Sequence, residues 1–358
     1  MNSDIEVPQG RTKHFKRLRL AAIVLSLLGL ALFGYFIYAV GFHEIWEGIR
    51  RFGILGFAVI LTIYFARICV RSWAWKLSVH APYKLGVLDT IPAVIIGEAM
   101  SSTIPLGILI SGTSKAVAVR RKIPLVGGLS SVATENLYYS FVTGLFLIFG
   151  AVLLLRGFAV DESVAVTLNM LIGVLTFLVI LGLIMVIRQW HFASWICNWV
   201  YDRGFLTRLL ERGRFEVHRF EELIYGFYRH YPQRFVPICL LELSYHLLGI
   251  AEVWFILSRL GDATPSLMSA FMLESVSRLV TIVFKLVPFM IGVDEAGAQL
   301  VGNAIALAAG VGVTLAIIRK GRILFWTAVG VALIAKRGLT FQALSNRENL
   351  PLDELSVE

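Results

Sequence analysis

The stretch Lys285 to Gly302 reads KLVPFMIGVDEAGAQLVG and lies in one of the most apolar parts of the chain. It nevertheless holds a lysine, an aspartate and a glutamate, together with Pro288, which removes a helical hydrogen bond. A plain membrane-spanning helix would expose each charge to lipid at a cost of about 3 kcal/mol. The stretch is therefore predicted to be an interrupted membrane segment whose charged side chains face protein or a water-filled cavity.

The whole chain has the composition of a polytopic membrane protein. Of its 358 residues, 57% are hydrophobic and 16% are charged, and the mean hydropathy is +0.76. Soluble domains carry about 25% charged residues. The formal net charge of +9 comes from basic residues beside apolar runs, which predicts positive-inside topology and contact with anionic headgroups, and no nucleic-acid binding. The three cysteines are isolated and predict neither a disulfide framework nor a metal site.

Long apolar runs predict seven membrane helices, or eight if part of an interrupted segment also spans. The runs are Leu20–Val40, Ile54–Val70, Val126–Leu155, Val164–Ile187, Phe235–Leu257, Ala298–Ile318 and Ile323–Ala335. The first run is too long for the apolar core of a signal peptide, so it is predicted to be an uncleaved helix that follows a basic cytoplasmic N-terminus, residues 1–19. The transmembrane domain is expected over residues 20–337, followed by a polar tail over residues 338–358.

Two apolar stretches, Leu85–Gly112 and Pro265–Gly297, are interrupted by proline, glycine and charge. Such a pair at corresponding places in two halves, here about residues 20–160 and 164–337, is typical of a transporter binding site. The predicted fold class is therefore an all-α polytopic membrane protein with two broken or re-entrant segments in two pseudo-repeated halves.

The polar segment Trp190–Arg234 mixes arginines and glutamates with apolar residues at helical spacing. It is predicted to form amphipathic helices on the cytoplasmic face, or else a solvated connector. Basic residues after the second helix and before the third place those loops on the same side as the N-terminus, if Leu85–Gly112 is re-entrant. The side of the C-terminus depends on whether Pro265–Gly297 is re-entrant or spans, and both alternatives stay open.

Ionisable residues inside apolar segments are candidates for function, because they usually face a cavity or one another. Glu274 and Arg278 are four residues apart and are predicted to pair along one helix face, as a structural salt bridge or as part of a site. Glu135 and Asn136 form a polar interruption that could hydrogen-bond a neighbouring broken helix. Glu242 and His246 share a helix face and could form a hydrogen-bonded pair, bind a metal or relay a proton.

The two interrupted segments predict a site for a phosphate-bearing amphiphile, because broken helices expose N–H groups that favour anions. The alternative is a set of proline kinks, helix caps and interface anchors. The candidate lipid-binding residues share charge, a helix-breaking role or a place beside the broken segments: Glu98, Pro105, Gly107, Lys115, Glu135, Asn136, Arg278, Lys285, Pro288, Gly292, Asp294, Glu295, Arg319 and Arg322.

At these residues the sequence resembles the lysylphosphatidylglycerol synthase transmembrane-domain family, which is also described as flippase-like. Four stretches carry the resemblance: Arg67–Leu77 (RICVRSWAWKL), Gly97–Phe141, Val287–Leu300 (VPFMIGVDEAGAQL) and Arg319–Gly330 (RKGRILFWTAVG). Two departures are that Glu98 precedes Pro105, and that Val293 and Asp294 stand where the family is richer in glycine. The resemblance implies a helical bundle associated with lipid translocation across a bacterial inner membrane.

Three functions are compatible with these features. The first is a lipid transporter or flippase for an anionic or isoprenoid-type lipid, with no cofactor, no metal and no catalytic residue. The second is a non-transporting scaffold that recruits a lipid-modifying enzyme through Trp190–Arg234. The third is an integral-membrane enzyme that uses Glu242 and His246, which is disfavoured because no nucleophile or metal set is recognisable and no lysyl-transfer domain follows Arg337. Membrane lipids are the expected partners, and a biosynthetic enzyme or a second copy of the chain are further candidates.

Overall fold

The protein is described by a computed structural model that covers residues 31, 34–35, 37–103, 107–157, 162–203, 207–260, 265–283, 290–304, 307 and 310–336. Over these residues the fold is built from helices and contains no strand. The α-helices are α1 (Phe42–Leu77), α2 (Val87–Thr103), α3 (Gly107–Ala118), α4 (Leu125–Gly157), α5 (Glu162–Arg188), α6 (Phe192–Asp202), α7 (Thr207–His230), α8 (Phe235–Leu260), α9 (Leu267–Val283), α10 (Val293–Ala304) and α11 (Val311–Lys336).

The helix α1 is two helices joined at a glycine. Gly53 has φ 67° and ψ 175°, a conformation outside the helical region that glycine adopts without a steric penalty. The long helix after it therefore begins at Ile54, as predicted, but continues to Leu77 instead of ending at Val70. The predicted helix Leu20–Val40 lies almost entirely outside the described residues.

The first interrupted segment forms a helical hairpin of α2 and α3. Both helices begin or end at the same side of the bundle, where Lys122 at the end of the hairpin pairs with Asp89 near its start at 2.9 Å. We call this the basic side, because Lys84, Arg120 and Arg121 are also exposed there. Pro105 lies outside the described residues, between the two helices.

The second interrupted segment forms a hairpin of α9 and α10 that starts from the opposite side. Trp254 near the end of α8 donates a hydrogen bond to the carbonyl of Pro265, just before α9. The helix α10 packs closely on the start of α11, where a Cβ at Gly312 would lie 2.5 Å from the carbonyl oxygen of Ala298. Lys285 and Pro288 lie outside the described residues, between α9 and α10.

The last predicted helices, Ala298–Ile318 and Ile323–Ala335, were wrong in their boundaries. The chain ends α10 at Ala304, turns near Gly310 at φ 79°, and then forms the single helix α11. Arg319 and Arg322 are consequently buried inside a helix and not placed in a loop. The helix α11 runs from the opposite side towards the basic side, where Trp326, Val329 and Leu333 pack in a cluster that includes Leu85 and Val119.

Corresponding helices of the two sets α1–α4 and α8–α11 run in opposite directions. The helix α1 packs along its counterpart α8. The helix α2 packs on α11, the last helix of the second set, and its counterpart α9 packs on α4, the last helix of the first set. The first hairpin starts from the basic side and the second from the opposite side. This is the order expected of an inverted-topology repeat, in which a site lies between two facing broken segments.

The helices α5, α6 and α7 connect the two sets. Between Trp190 and Arg234 the chain forms α6 and α7, which pack on each other, and α7 also packs on α4. The interface on α4 is aromatic, with Tyr138 against Phe227 and Tyr228. The helix α6 exposes Trp195 and Trp199, the kind of residue found at membrane interfaces.

The prediction of an all-α polytopic membrane protein is confirmed. Among the described residues, four helices are long and apolar enough to cross a membrane: Phe42–Leu77, Leu125–Gly157, Ala165–Arg188 and Pro232–Leu260. The 26-residue helix α11 has the length to cross as well, but Arg319, Lys320 and Arg322 interrupt its apolar sequence.

The close packing of α11 on α2 predicts the effect of a single added methyl group. A Cβ at Gly330 would lie 2.5 Å from the Cβ of Ala99 and 3.0 Å from the carbonyl oxygen of Ile95. We expect Gly330→Ala to lower the free energy of unfolding by about 1–3 kcal/mol, because the two helices must separate. Thermal unfolding of the purified protein in detergent measures the change.

Gly173→Ala in α5 is the matched control for this variant. A Cβ at Gly173 meets nothing within 4 Å, so the substitution should leave stability unchanged or raise it slightly. Equal unfolding temperatures for the two variants would contradict the close approach of α2 and α11.

Candidate functional site

A cavity of about 1130 Å³ lies between the two hairpins and is bounded by α5 on one flank. Its polar wall contains Ser101 and Ser102 from α2, Ser111 from α3, and Ser277 and Thr281 from α9. The cavity therefore receives side chains from both interrupted segments. Towards the basic side its wall includes Tyr228, Arg229 and Phe235, so it extends to that end of the bundle.

The charged residues on the cavity wall are mostly cations. Among the described residues, the wall carries six cationic and two acidic side chains: Arg71, Lys115, Arg229, Arg278, Arg319 and Arg322, with Glu98 and Asp294. Membrane-embedded charge of one sign is costly unless a counter-ion or water is present. The excess of cations indicates that the cavity suits a negatively charged group.

Several of these arginines belong to an ionic network at the centre of the bundle. Glu274 on α9 accepts hydrogen bonds from Arg278 at 2.7 Å, Arg319 at 2.8 Å and Arg67 at 3.4 Å. Glu252 on α8 pairs with Arg67 at 3.2 Å and makes a short contact with Arg322. Four guanidinium groups therefore surround two fully buried carboxylates, and the network links α1, α8, α9 and α11.

Tyrosine rings also cover arginines of this network. The Arg67 guanidinium lies 4.2 Å from the centre of the Tyr245 ring, and the Arg322 guanidinium lies 4.1 Å from that of Tyr64. Arg278 also donates a hydrogen bond to the Tyr245 hydroxyl at 3.3 Å. Such cation–π contacts stabilise a cation that has lost its hydration.

A second ionic cluster lies where α1, α3 and α4 meet. Arg71 donates a hydrogen bond to one oxygen of Glu135 at 2.8 Å and another to Asn136 at 3.2 Å. The ammonium of Lys115 lies 3.6 Å from the other oxygen of Glu135. Glu135 is fully buried, whereas Arg71, Lys115 and Asn136 also line the cavity. The carboxylate thus orients two cations whose other faces are open to a ligand.

The acidic residues near the hairpins have different roles. Glu98 on α2 accepts a hydrogen bond from Tyr64 at 2.8 Å, and Asp294 accepts one from Ser277 at 2.9 Å. Glu295 accepts a hydrogen bond from the backbone N–H of Gly292 and pairs with Lys320 at 2.6 Å. Glu295 therefore caps its own helix, which agrees with the alternative of a helix cap and not with a cavity-facing acid.

The apolar flank of the cavity is a single peripheral helix. Leu175, Leu178 and Val179 of α5 face the cavity, followed one turn later by Gly182 and Leu183. The apolar span of α5 has no residue buried inside the protein, and its main contact is with α4. Within the described part of the chain, α5 is therefore a loosely packed helix on this flank of the cavity.

The profile of the family described as the lysylphosphatidylglycerol synthase TM region matches residues 19–330. The chain belongs to this family. No protein of curated function and no solved structure matches it. As a family member, the chain is a membrane protein involved in lipid handling.

In this member of the family the structure brings seven of the predicted site residues to one cavity. They are Glu98, Lys115, Asn136, Arg278, Asp294, Arg319 and Arg322. Gly107 begins α3, and Gly292, at φ 83°, lies in the turn before α10. Glu135 lies behind Arg71 and Lys115, so its partners include α1 as well as the broken helix α3 expected from the sequence. Pro105, Lys285 and Pro288 lie outside the described residues.

The residues that sequence reasoning missed are mainly arginines and their partners. From the sequence, Arg67 and Arg71 belong with the basic residues at the end of the second helix, which is predicted to end at Val70, and neither is assigned to the site. Their spacing of four places both on one face of α1, and Tyr64 precedes Arg67 by three residues. That periodicity was the available signal for a polar helix face inside the membrane.

The predicted pairs on single helices had different outcomes. The Glu274–Arg278 pair is confirmed at 2.7 Å. The expected hydrogen bond between Glu242 and His246 is wrong, because His246 instead contacts the Thr143 hydroxyl at 3.0 Å. Over the described residues, no group of three or more His, Cys, Asp or Glu side chains could hold a metal ion.

The central network predicts the cost of removing one carboxylate. We expect Glu274→Gln to lower the free energy of unfolding by about 3–5 kcal/mol, because three buried arginines lose a negative partner. Thermal unfolding in detergent measures this loss, with Glu162→Gln at the exposed start of α5 as the control.

The double variant Glu274→Gln/Arg278→Gln distinguishes charge imbalance from lost packing. Removing Arg278 as well reduces the number of unpaired cations, so part of the stability should return. A double variant that is less stable than Glu274→Gln alone would contradict an electrostatic origin of the loss.

Proposed function

We propose that this protein translocates a lipid with an anionic headgroup across the membrane. The observation that supports the proposal is the cavity, which has a cationic wall between the two hairpins and an apolar flank formed by α5. An anionic headgroup would bind the cationic wall, and the acyl chains would lie against the apolar flank. We infer no catalytic role for the chain, and no cofactor is part of the proposed mechanism.

The proposed headgroup position is beside Arg71, Lys115 and Arg278. A phosphodiester is a hydrogen-bond acceptor with a negative charge, and guanidinium and ammonium groups are its usual partners in proteins. Ser101, Ser111 and Ser277 add hydroxyl donors around the same space. Glu135 and Glu274 hold the cations in place from behind, so the binding groups are arranged before the lipid arrives.

The proposed acyl-chain path runs along α5. Its cavity-facing residues are aliphatic, and Gly182 leaves space between them because a Cβ there would meet nothing within 4 Å. A lipid could keep its chains in the bilayer while its headgroup occupies the cavity. This arrangement avoids the cost of burying a charged headgroup in hydrocarbon.

The positive-inside rule favours an orientation with the basic side in the cytoplasm. The cavity then extends towards the cytoplasmic leaflet near Tyr228 and Arg229. We propose the bacterial cytoplasmic membrane as the site of action, with the exposed tryptophans of α6 at its inner surface.

The cationic wall can be tested with Lys115→Gln in vesicles of phosphatidylcholine that contain a trace of fluorescent phosphatidylglycerol. We expect the rate of lipid movement, measured by protection from an external quencher, to fall about tenfold, because a charged hydrogen bond is lost. Lys115→Arg should retain transport, since it keeps the positive charge.

Lys84→Gln on the exposed basic side is the matched control and should transport at the wild-type rate. Equal rates for wild type and Lys115→Gln would contradict the proposed headgroup position. A wild-type protein that moved no anionic lipid in these vesicles would contradict the proposed function.

The acyl-chain path can be tested by filling the space at Gly182. We expect Gly182→Phe to slow lipid movement several-fold while leaving thermal stability unchanged, because Gly182 lies on the cavity wall and an added Cβ there meets nothing within 4 Å. Gly173→Phe is the control on the same helix, since Gly173 is also uncrowded but is not part of the cavity wall. Equal slowing by both variants would indicate a general disturbance of α5.

A further inference from the structure

Glu242 is a buried carboxyl group that has no direct partner among the described residues. It lies on α8, is fully buried, and neither of its oxygens makes a hydrogen bond within the part of the chain that the structure describes. A buried carboxylate that no donor stabilises is energetically costly unless nearby cations compensate or it takes up a proton. Glu242 is therefore a buried acid whose charge no hydrogen bond from the described residues stabilises.

The charged groups that face Glu242 come from three other helices. Arg71 of α1, Lys115 of α3 and Glu135 of α4 interact with it electrostatically. Together with Glu242, these groups are two cations and two carboxylates. Their charges cancel when the cavity holds no ligand and Glu242 is ionised. Within the described part of the chain, Tyr139 on α4 and Cys239 on α8 also interact with Glu242, and His246 lies one turn further along α8.

A negatively charged ligand upsets this balance. The cations Arg71 and Lys115 line the cavity, so an anion that binds them adds one negative charge to the cluster. Glu135 keeps its hydrogen bond from Arg71 at 2.8 Å and lies 3.6 Å from Lys115. Glu242 has no such contact, so it is the carboxylate that is neutralised when the anion arrives.

We propose that Glu242 is a proton-binding site coupled to anion binding at Arg71 and Lys115. When the anion binds, one Glu242 oxygen forms an O–H bond with a proton from water, and the total charge of the cluster is restored. One proton then accompanies each anion, and a proton gradient contributes to the driving force for its movement. This inference rests on the proposed function, because it assigns a co-substrate to the same cavity.

Thermodynamic linkage makes the coupling measurable without transport. If anion binding takes up a proton, the affinity must fall as the pH rises through the range in which Glu242 ionises in the ligand-free protein. One proton per anion corresponds to a loss of about tenfold in affinity per pH unit. Dihexanoyl-phosphatidylglycerol is a suitable probe because its phosphodiester keeps a constant charge over this range.

The experiment is calorimetric titration of the purified full-length protein with this probe, from mildly acidic to mildly alkaline pH. Wild type should bind progressively more weakly as the pH rises and should take up protons, which two buffers with different ionisation enthalpies detect. Glu242→Gln mimics the protonated side chain, so it should bind with the acidic-pH affinity throughout and take up no proton. Glu162→Gln and Cys239→Ala should retain the wild-type pH dependence.

The outcomes separate this inference from the proposed function. If wild type binds with the same affinity at every pH, or if Glu242→Gln shows the wild-type pH dependence, the coupling at Glu242 is wrong while anion binding stands. If wild type binds no probe at any pH, the anionic headgroup of the proposed function is wrong as well, and the coupling fails with it. Unfolding temperatures of the variants establish that each protein is folded.

Discussion

The arrangement of the whole bundle depends on two buried carboxylates. Glu252 and Glu274 bind arginines from α1, α9 and α11, so helices from both sets must meet at one point. A buried ion that loses its partner is strongly destabilising, which makes this convergence a requirement for a stable fold. Because the cations outnumber the acids, the same network leaves positive charge facing the cavity between the hairpins.

The helical architecture was predictable where composition and local pattern carry the information. Proline, glycine and charge within apolar stretches predicted both hairpins, because these residues interrupt a membrane helix at the position where they occur. The boundaries failed where the interruption was less obvious. The chain turns at Gly310, between α10 and α11, in the middle of an apolar run, and no charged residue marks the turn.

The site was predictable in its residue types but not in its partnerships. Arg67 pairs with Glu252 and Glu274, which are 185 and 207 positions away in the chain, and helical periodicity carries no information over that distance. Arginines that flank a membrane helix and arginines buried within it also look alike in sequence. Only packing shows that Arg67 is buried and that Glu295 caps a helix instead of facing a ligand.

The helix α5 has a consequence for how the cavity behaves in different membranes. One of its faces borders the cavity, another touches hydrocarbon, and its main protein contact is α4. Helices tilt in response to bilayer thickness, and a helix that few neighbours hold can tilt most easily. We therefore expect the width of the cavity to depend on bilayer thickness as well as on the amino-acid sequence.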